Sequence, residues 1–237
     1  MSAAIPVILS WSGGKDSALA LHALKHDPRY QVVALLTSVN DHYGRISMHG
    51  VRESLLDAQA ESIGLPLHKV RLSEHSSNEE YEDKMRAALE TFKAQGTRHV
   101  AFGDLFLEDI RQYRIKNMHQ ADMECLFPLW LKPTDGLARE FIALGFKAVL
   151  CCVDEQALSG EFAGREYDGN LLKDLPAAVD PCGENGEFHT FVYAGPVFRK
   201  SIAFTRGERV RRDTRFHFCD LMPTEVSHEH LATAHHG

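Results

Sequence analysis

The chain lacks long apolar runs, and this absence limits the kinds of protein it can be. No stretch approaches the roughly 20 residues needed to cross a bilayer. The short apolar segment near the N-terminus also lacks the basic flank that opens a signal peptide. We therefore expect a cytoplasmic protein that has no membrane-spanning helix and no membrane partner.

Cysteines are few, and their spacing matches neither a zinc site nor a disulfide framework. The chain has five, an odd number, and no two of them form the Cys-x-x-Cys pair of a structural zinc site. Cys151 and Cys152 lie in an apolar run, which makes small hydrophobic residues the simplest interpretation. A small secreted disulfide scaffold is excluded, and reduced thiols are expected.

An excess of basic charge is also missing. The 26 Lys and Arg residues stand against 33 Asp and Glu residues, for a net charge of -7. The chain as a whole therefore has no electrostatic attraction for nucleic acid, which is not an expected partner, and an anionic ligand requires a local site. The 237 residues, 44% of them apolar, suffice for one large or two small folded domains.

Strand-like runs alternate with helical patterns through the first two thirds of the chain. Short apolar runs typical of buried strands lie at 5–11, 31–39, 67–72, 99–104 and 146–153. Amphipathic patterns lie between them, and the helix that opens at Ser77 has a capping box with Glu80. Because parallel strands need crossover connections, this alternation predicts an α/β fold, in which helices cover both faces of a mostly parallel sheet.

The pattern changes after the last of these strands. Gly and Asp become frequent around 160–187, and three segments typical of extended or antiparallel strands follow. The sequence thus predicts a first domain at 1–125, a smaller α+β domain at 126–222 and a flexible tail at 223–237. The tail contains several histidines, and both a frayed end and a metal site stay open as interpretations.

The sharpest motif is Ser-Trp-Ser-Gly-Gly-Lys-Asp-Ser at 10–17, at the junction of the first strand and the first helix. Two glycines allow a tight turn in which backbone N–H groups converge at the positive end of a helix dipole. Ser12 and Ser17 add hydroxyl donors, and Lys15 adds a charge that can follow a phosphate as its bonds rearrange. The loop is predicted to bind an anion, and the alternative is a glycine-rich turn with a capping serine.

This loop lacks the Gly-x-x-x-x-Gly-Lys spacing of Walker ATPases. The string SGGKDS instead resembles the pyrophosphate loop of the N-type ATP pyrophosphatases, which cleave ATP between its α and β phosphates and transfer AMP to an acceptor oxygen. The resemblance implies ATP as cofactor and adenylation as the chemistry. It also implies a parallel-sheet, nucleotide-binding domain of the adenine nucleotide alpha hydrolase-like (HUP) type.

A second match narrows the family. The segment 180–196, DPCGENGEFHTFVYAGP, resembles a block of the diphthine ammonia ligase family, and three further segments extend the similarity over roughly residues 5 to 205: Met48-His49, Phe102-Gly103-Asp104 and Pro128-Leu129-Trp130. That family has an ATP-binding α/β domain followed by a smaller substrate domain. Members that act on diphthine commonly have an acidic residue at the position of His189, before Thr190, and usually have a glycine at the position of Asn185. These differences indicate a divergent subgroup, and the identity of its acceptor stays open.

The resemblance and the motifs together assign the site residues. The expected catalytic residues are Lys15, Asp16, Glu184 and Glu187, and Asp16 is the expected ligand of Mg²⁺. The residues expected to bind the nucleotide are Ser10, Ser12, Gly13, Gly14, Lys15, Asp16, Ser17, Thr37, Met48, His49, Gly103 and Asp104. The residues expected to bind the acceptor are Arg114, Cys182, Gly183, Glu184, Asn185, Gly186, Glu187, His189 and Thr190.

Each charged candidate also has a purely structural interpretation. Glu184 and Glu187 either hold Mg²⁺, or orient an ammonium or amine nucleophile, or are solvated turn carboxylates. Asp104 either contacts magnesium or ribose at a strand end or caps a helix. Arg114 either clamps an anion or belongs to a charged helix surface, and Asp16 either binds Mg²⁺ or simply favours the helix dipole.

The adenine is expected over the end of the second strand, near Leu36, Thr37 and Ser38. Met48 and His49 either wall that pocket or begin a helix. The predicted function is an ATP-dependent ligase, in which a carboxylate attacks the α-phosphate and ammonia then displaces AMP. The expected partners are ATP, a carboxylate-bearing acceptor and ammonia, and a homo-oligomer is compatible with the sequence. Two alternatives keep the nucleotide site: RNA or small-metabolite modification, and nucleotide binding without turnover.

Overall fold

A computed structural model describes residues 3–41, 45–46, 50–73 and 76–224. The first sheet consists of β1 (Ile5–Ser10), β2 (Tyr30–Asn40), β3 (Arg45–Ile46), β4 (Leu67–Leu72), β5 (His99–Ala101) and β6 (Glu124–Leu126). Five strands run parallel in the order β4-β2-β1-β5-β6, and the short β3 pairs antiparallel with the end of β2. The predicted α/β fold with a mostly parallel sheet is confirmed.

Helices cover both faces of this sheet. They are α1 (Lys15–Lys25), α2 (Glu53–Ile63), α3 (Asn78–Ala94) and α4 (Glu108–Gln120). Side chains of β1 alternate between two cores: Val7 and Leu9 pack with α1 and α2, whereas Ile8 packs with α3 and α4. This is the two-residue period of a strand that is buried on both sides.

Two sequence signals define helix ends as predicted. The Ser77 hydroxyl accepts a hydrogen bond from the Glu80 N–H at 3.1 Å, which caps the start of α3. Gly64 follows α2 with a φ of +78°, a left-handed conformation that glycine adopts without strain. Local capping chemistry therefore set these boundaries.

The second sheet is antiparallel and begins after α5 (Thr134–Ala143). Its strands are β7 (Lys147–Asp154), β8 (Phe188–Ala194), β9 (Phe204–Arg212) and β10 (Phe216–Pro223), in the order β8-β7-β10-β9. A short helix, α6 (Gly169–Asp174), lies between β7 and β8. The strand predicted at 146–153 thus opens the second sheet and does not extend the first, because a buried apolar run fits either kind of sheet.

One apolar cluster joins the two sheets. Leu9 and Leu56 from the first part of the chain belong to the same core as Phe141, Phe188 and Phe191 from the second. The division into domains at residues 125 and 126 stays a prediction. None of the helices in the described residues combines the length and apolar character that crossing a membrane requires.

Candidate functional site

The ends of β1 and β5 and the loop before β8 enclose a cleft of about 250 Å³. It lies at the carboxyl edge of the parallel strands, where open α/β sheets bind their ligands. The structure brings most of the predicted site residues to its wall: Ser10, Ser12, Gly14, Lys15, Asp16, Ser17, Gly103, Asp104, Arg114, Cys182, Gly183, Glu184, Gly186, His189 and Thr190. Phe102 and Phe188 complete the lining.

Other predicted site residues do not line this cleft. Among the described residues they are Gly13, Thr37, Asn185 and Glu187. Met48 and His49 fall outside the described residues. Three of them, Gly13, Asn185 and Glu187, adjoin lining residues in the chain and make hydrogen bonds that hold the loops of the cleft.

Residues 10–17 turn tightly from β1 into α1. Gly13 has a φ of +77°, which favours glycine at this position. The Ser12 hydroxyl accepts from the Gly14 N–H at 3.2 Å and lies 3.3 Å from the Ser17 hydroxyl. Ser17 in turn donates to the Gly14 carbonyl at 2.9 Å. These bonds hold both hydroxyls at the N-terminus of α1, where the helix dipole and the first N–H groups attract anions.

Lys15 and Asp16 form an ion pair at the base of the cleft. The Nζ of Lys15 lies 2.9 and 2.8 Å from the two carboxylate oxygens of Asp16, and the lysine is 3% exposed. Burial lowers the pKa of Lys15, but the Asp16 carboxylate and the other acidic groups of the cleft, among them Glu184, together outweigh burial and raise the pKa above its usual value. Lys15 therefore remains a cation, and with Arg114 it supplies the positive charge of the cleft.

The start of α1 is capped from the second sheet. Its N-cap residue, Gly14, has no side chain that could accept a hydrogen bond. The Lys15 N–H donates instead to Oγ1 of Thr190 on β8 at 3.0 Å, and the Val192 N–H of the same strand donates to the Gly13 carbonyl at 2.9 Å. Strand β8 thus holds the loop in place, and the buried Thr190, predicted to bind the acceptor, also acts as a helix cap.

Thr190→Val tests this cap. Valine keeps the shape of threonine and removes the hydroxyl that accepts from Lys15, so we expect the free energy of unfolding to fall by about 1 kcal/mol. Urea denaturation followed by circular dichroism measures the change. Thr190→Ser is the matched control, because it retains the hydroxyl. Equal stability of the valine variant and the wild-type protein would contradict a capping role.

The Glu184 carboxyl lies in the cleft and titrates near neutral pH. Its Oε1 accepts from the Leu105 N–H at 2.9 Å, which fixes its orientation. Burial raises the pKa of Glu184 to about 7, and the charges of Asp16 and Asp104 also act to raise it. Both protonation states are populated at neutral pH, as general acid–base chemistry requires.

Glu187 points into its own loop. Its buried carboxylate accepts from the Asp180 N–H at 2.9 Å, from the Asn185 N–H at 2.9 Å and from the Asn185 side-chain amide at 3.0 Å. Glu187 and Asn185 therefore close the loop at 180–187, and this geometry gives no support to the predicted catalytic role of Glu187. Two glutamates in one turn face different surroundings, which their spacing does not reveal.

Asp104 and Arg114, predicted as separate ligand contacts, bind each other. The Nε of Arg114 donates to one Asp104 oxygen at 2.5 Å, and its Nη2 donates to the other at 3.2 Å. The guanidinium carbon also lies 4.5 Å from the centre of the Phe102 ring. Asp104 does not cap α4, whose N-cap is Leu107. The pair forms a charged rim, so a ligand of either residue must share this ion pair.

His189 and Cys182 are both held in their neutral forms. Burial lowers the pKa of His189 to about 4, and the charge of Lys15 acts in the same direction. Burial raises the pKa of Cys182 to about 12, and the Sγ lies 3.3 Å from the Thr134 carbonyl. Cys182 is therefore a thiol rather than a thiolate nucleophile, and it forms part of the wall.

A second, mainly apolar cavity adjoins the cleft, between the sheet and the helices α3 and α4. It shares Ser10, Phe102 and Arg114 with the cleft and reaches Leu36 at the end of β2. Its remaining lining includes Tyr81, Met85, Leu89, Val100 and Met118. Thr37 is buried in β2 and lines neither space.

Sequence reasoning missed Gln59, which is fully buried on α2. Its amide bonds to Trp11 and Gly13, and so it contacts the loop at 10–17 directly. One signal was available: Gln59 lies one helical turn after the inward-facing Leu55, and a polar side chain on a buried face requires partners.

The described residues contain no group of three or more His, Cys, Asp or Glu side chains arranged to hold a metal ion. Mg²⁺ does not require such a group, because it commonly binds through one or two carboxylates together with the phosphates of a substrate. The Asp16 carboxylate lines the cleft, and its side chain is 29% exposed. Burial raises the pKa of Asp16, and Lys15 Nζ lies 2.9 and 2.8 Å from its two oxygens, so a magnesium ion at Asp16 would share the carboxylate with the Lys15 ammonium group.

Comparison with known families covers most of the chain. Residues 5–121 match the model described as the diphthamide synthase N-terminal domain. Residues 133–222 match the model described as the diphthamide synthase C-terminal domain. The loop at 10–17 lies in the first match, and the segment at 180–196 lies in the second.

Several curated relatives are named diphthine–ammonia ligase. The Schizosaccharomyces pombe protein is 26% identical over 224 residues, which are 86% of this chain and 36% of that protein. The Rattus norvegicus protein is 25% identical over 222 residues, 84% of this chain and 82% of that protein. The chain thus spans little more than a third of the yeast relative. Among solved structures, the chain resembles the U34-tRNA thiolase NcsA from Methanococcus maripaludis with its 4Fe-4S cluster. The TM-score is 0.36 and the sequence identity is 19%, and the match covers 60% of this chain and 57% of that chain. This similarity is too distant to bear on function.

Proposed function

Since the chain belongs to the diphthamide synthase family, we propose that it is an ATP-dependent carbon–nitrogen ligase, which activates a substrate carboxylate with ATP and joins it to ammonia. The names of the curated relatives support this reaction class. One observation carries the proposal: a single cleft contains the loop at 10–17, the buried Lys15 and the Glu184 carboxyl, whose pKa is about 7.

In this proposal, ATP spans the cleft and the adjoining apolar cavity. The β and γ phosphates lie against the loop at 10–17 and the N-terminus of α1, where N–H groups and hydroxyls converge. The adenine enters the cavity beside Leu36 and Phe102, near the predicted position at the end of β2. Because the two spaces share Ser10 at the end of β1, the base and the phosphates bind on either side of that strand end.

In the first step, a carboxylate oxygen of the acceptor attacks the α-phosphorus. The bond from that phosphorus to the oxygen bridging the α and β phosphates breaks, and an acyl adenylate and pyrophosphate form. Lys15 and the positive end of the α1 dipole stabilise the charge that accumulates on the departing pyrophosphate. Asp16 is the residue that would hold a magnesium ion, which when bound would neutralise part of the phosphate charge.

In the second step, ammonia attacks the acyl carbon, an amide bond forms and AMP leaves. The nitrogen must lose a proton as the carbon–nitrogen bond forms. The Glu184 carboxylate accepts this proton, because its pKa of about 7 leaves much of it ionised at neutral pH. The neutral imidazole of His189 lies on the acceptor side of the cleft, where it adds a polar contact without charge.

The reaction products test the proposal. Incubating the protein with ATP labelled at the α-phosphate, Mg²⁺, ammonium and fractions of cell extract is expected to release AMP and pyrophosphate in amounts that depend on an acceptor. Formation of ADP would contradict adenylation. Nucleotide binding without any product, whatever the acceptor, would favour a protein that binds nucleotide without turnover. A diphthine-bearing protein among the acceptors tests whether His189 and Asn185 alter the choice of acceptor.

A further inference from the structure

The Gln59 side chain connects three parts of the fold around the phosphate-binding loop. Its Oε1 accepts from the indole N–H of Trp11 at 3.0 Å. Its Nε2 donates to the Gly13 carbonyl at 3.0 Å and to the Val192 carbonyl at 2.6 Å. Both N–H groups and the oxygen of the amide are therefore used, and the amide orientation follows from its neighbours: two acceptors on one side and one donor on the other.

Gln59 also determines which way the Gly13–Gly14 peptide faces. The Gly13 carbonyl accepts from Gln59 and from the Val192 N–H at 2.9 Å, so two donors hold the oxygen on the side away from the cleft. Since a trans peptide is planar, its N–H must point the opposite way. The Gly14 N–H indeed meets the Ser12 hydroxyl, and both residues line the cleft.

This orientation matters because glycine restrains the peptide only weakly. Gly13 and Gly14 lack the Cβ atoms that would hinder rotation of the peptide between them. A rotated peptide would direct a carbonyl oxygen, which carries partial negative charge, toward an anion in the cleft. The two hydrogen bonds to the Gly13 carbonyl oppose this rotation. The Gln59 side chain also packs closely against the loop, since a Cβ atom on Gly13 would lie 2.7 Å from its Oε1.

We propose that Gln59 is a positioning residue of the ligase reaction, which holds the Gly13 carbonyl oxygen away from the leaving pyrophosphate and keeps the Gly14 N–H, bonded to Ser12, on the side of the cleft. The proposal rests on the proposed function, because it assumes that this loop binds phosphate groups. Gln59 also ties the loop to β8, the strand next to the predicted acceptor side. Its removal would therefore loosen the contact between the nucleotide loop and the second sheet.

Gln59→Leu is the principal test, because leucine fills the site without hydrogen bonds. Binding of inorganic pyrophosphate and of AMP is measured by titration calorimetry. We expect the dissociation constant for pyrophosphate to rise at least about tenfold, which corresponds to about 1.4 kcal/mol. The dissociation constant for AMP should change less than about threefold, because the proposed function places its base in the apolar cavity, away from Gln59. A purely structural role would weaken both ligands equally, and that outcome would overturn the proposal.

Ser62→Ala is the matched control on the same helix. Ser62 is also buried, but its hydroxyl bonds to the backbone of Lys200, at 2.5 and 3.0 Å, and not to the loop. We expect this variant to lose stability in thermal unfolding and to keep its affinity for pyrophosphate. If it loses as much pyrophosphate affinity as the leucine variant, the effect is one of general destabilisation and the proposal is wrong.

Gln59→Glu keeps the test decisive if the leucine variant folds poorly. An ionised glutamate has no hydrogen to donate to the Gly13 and Val192 carbonyls, whereas a protonated glutamate has one. Pyrophosphate affinity, taken relative to the wild-type protein at each pH, is expected to recover as the pH falls. No recovery overturns the proposal. Wild-type protein that binds neither ligand overturns the proposed function as well, whereas wild-type binding with unaffected Gln59 variants overturns this inference alone.

Discussion

Lys15→Met is expected to lower the rate of AMP formation by about 10²- to 10³-fold. Methionine retains the buried aliphatic stem and removes only the ammonium group. That group lies beside the Asp16 carboxylate at the base of the cleft, and its raised pKa keeps it charged at every pH of interest. Without it, carboxylates face the phosphates of ATP with one cation fewer, and the charge on the departing pyrophosphate rises uncompensated. Initial rates of AMP release at saturating ATP measure the effect.

Lys200→Met is the control for this substitution. Lys200 is an exposed lysine that pairs with Glu61 at 3.0 Å on the surface, so its loss removes the same charge from the protein without touching the cleft. We expect this variant to react at the wild-type rate. Circular dichroism establishes that both variants are folded. If Lys15→Met retains wild-type turnover, the loop at 10–17 does not stabilise the leaving group.

Glu184→Gln is expected to slow transfer to ammonia by about 10²- to 10³-fold while leaving ATP binding nearly unchanged. The carboxyl has a pKa of about 7, raised above its usual value by burial. The protonated form, present below that pH, cannot accept a proton, and the carboxylate, present above it, can. The wild-type rate should therefore increase between about pH 6 and 8, and glutamine, which does not titrate, should remove this part of the profile.

Measuring this profile requires a constant concentration of free ammonia, because ammonium itself loses a proton at higher pH. Glu187→Gln is the matched control, since Glu187 accepts three hydrogen bonds within its loop and does not line the cleft. We expect it to lower the melting temperature and to retain the increase near pH 7. An unchanged profile in the Glu184 variant would assign the ionisation to another group.

The strand–helix junction at 10–17 was predictable because its signals are local in sequence. Residues 10–17 bring glycines, hydroxyls and a lysine to one strand–helix junction, at the N-terminus of α1. Helix ends such as Ser77 and Gly64 were predictable for the same reason, since each depends on residues within one turn.

The remaining features depend on residues that are distant in sequence. Asp104 and Arg114 were assigned separate ligands, but the close approach of α4 to the end of β5 pairs them with each other. In the sequence, Gln59 is one polar residue on an amphipathic helix. Its hydrogen-bond partners Trp11 and Val192 are identified only by the tertiary structure. The alternating pattern also cannot show that the strand at 146–153 belongs to a second, antiparallel sheet.

The sequence by itself determined the order of strands and helices and the loop chemistry at 10–17, because hydrophobic periodicity, capping and glycine conformation act over a few residues. Only the tertiary structure separated Glu184 from Glu187. The Glu184 carboxyl lies in the cleft, where burial and neighbouring charges raise its pKa to about 7. The Glu187 carboxylate instead accepts hydrogen bonds from N–H groups of its own loop. Burial, partner charges and hydrogen bonds decide the ionisation of a side chain, and in this protein the chain supplies them from segments far apart in sequence.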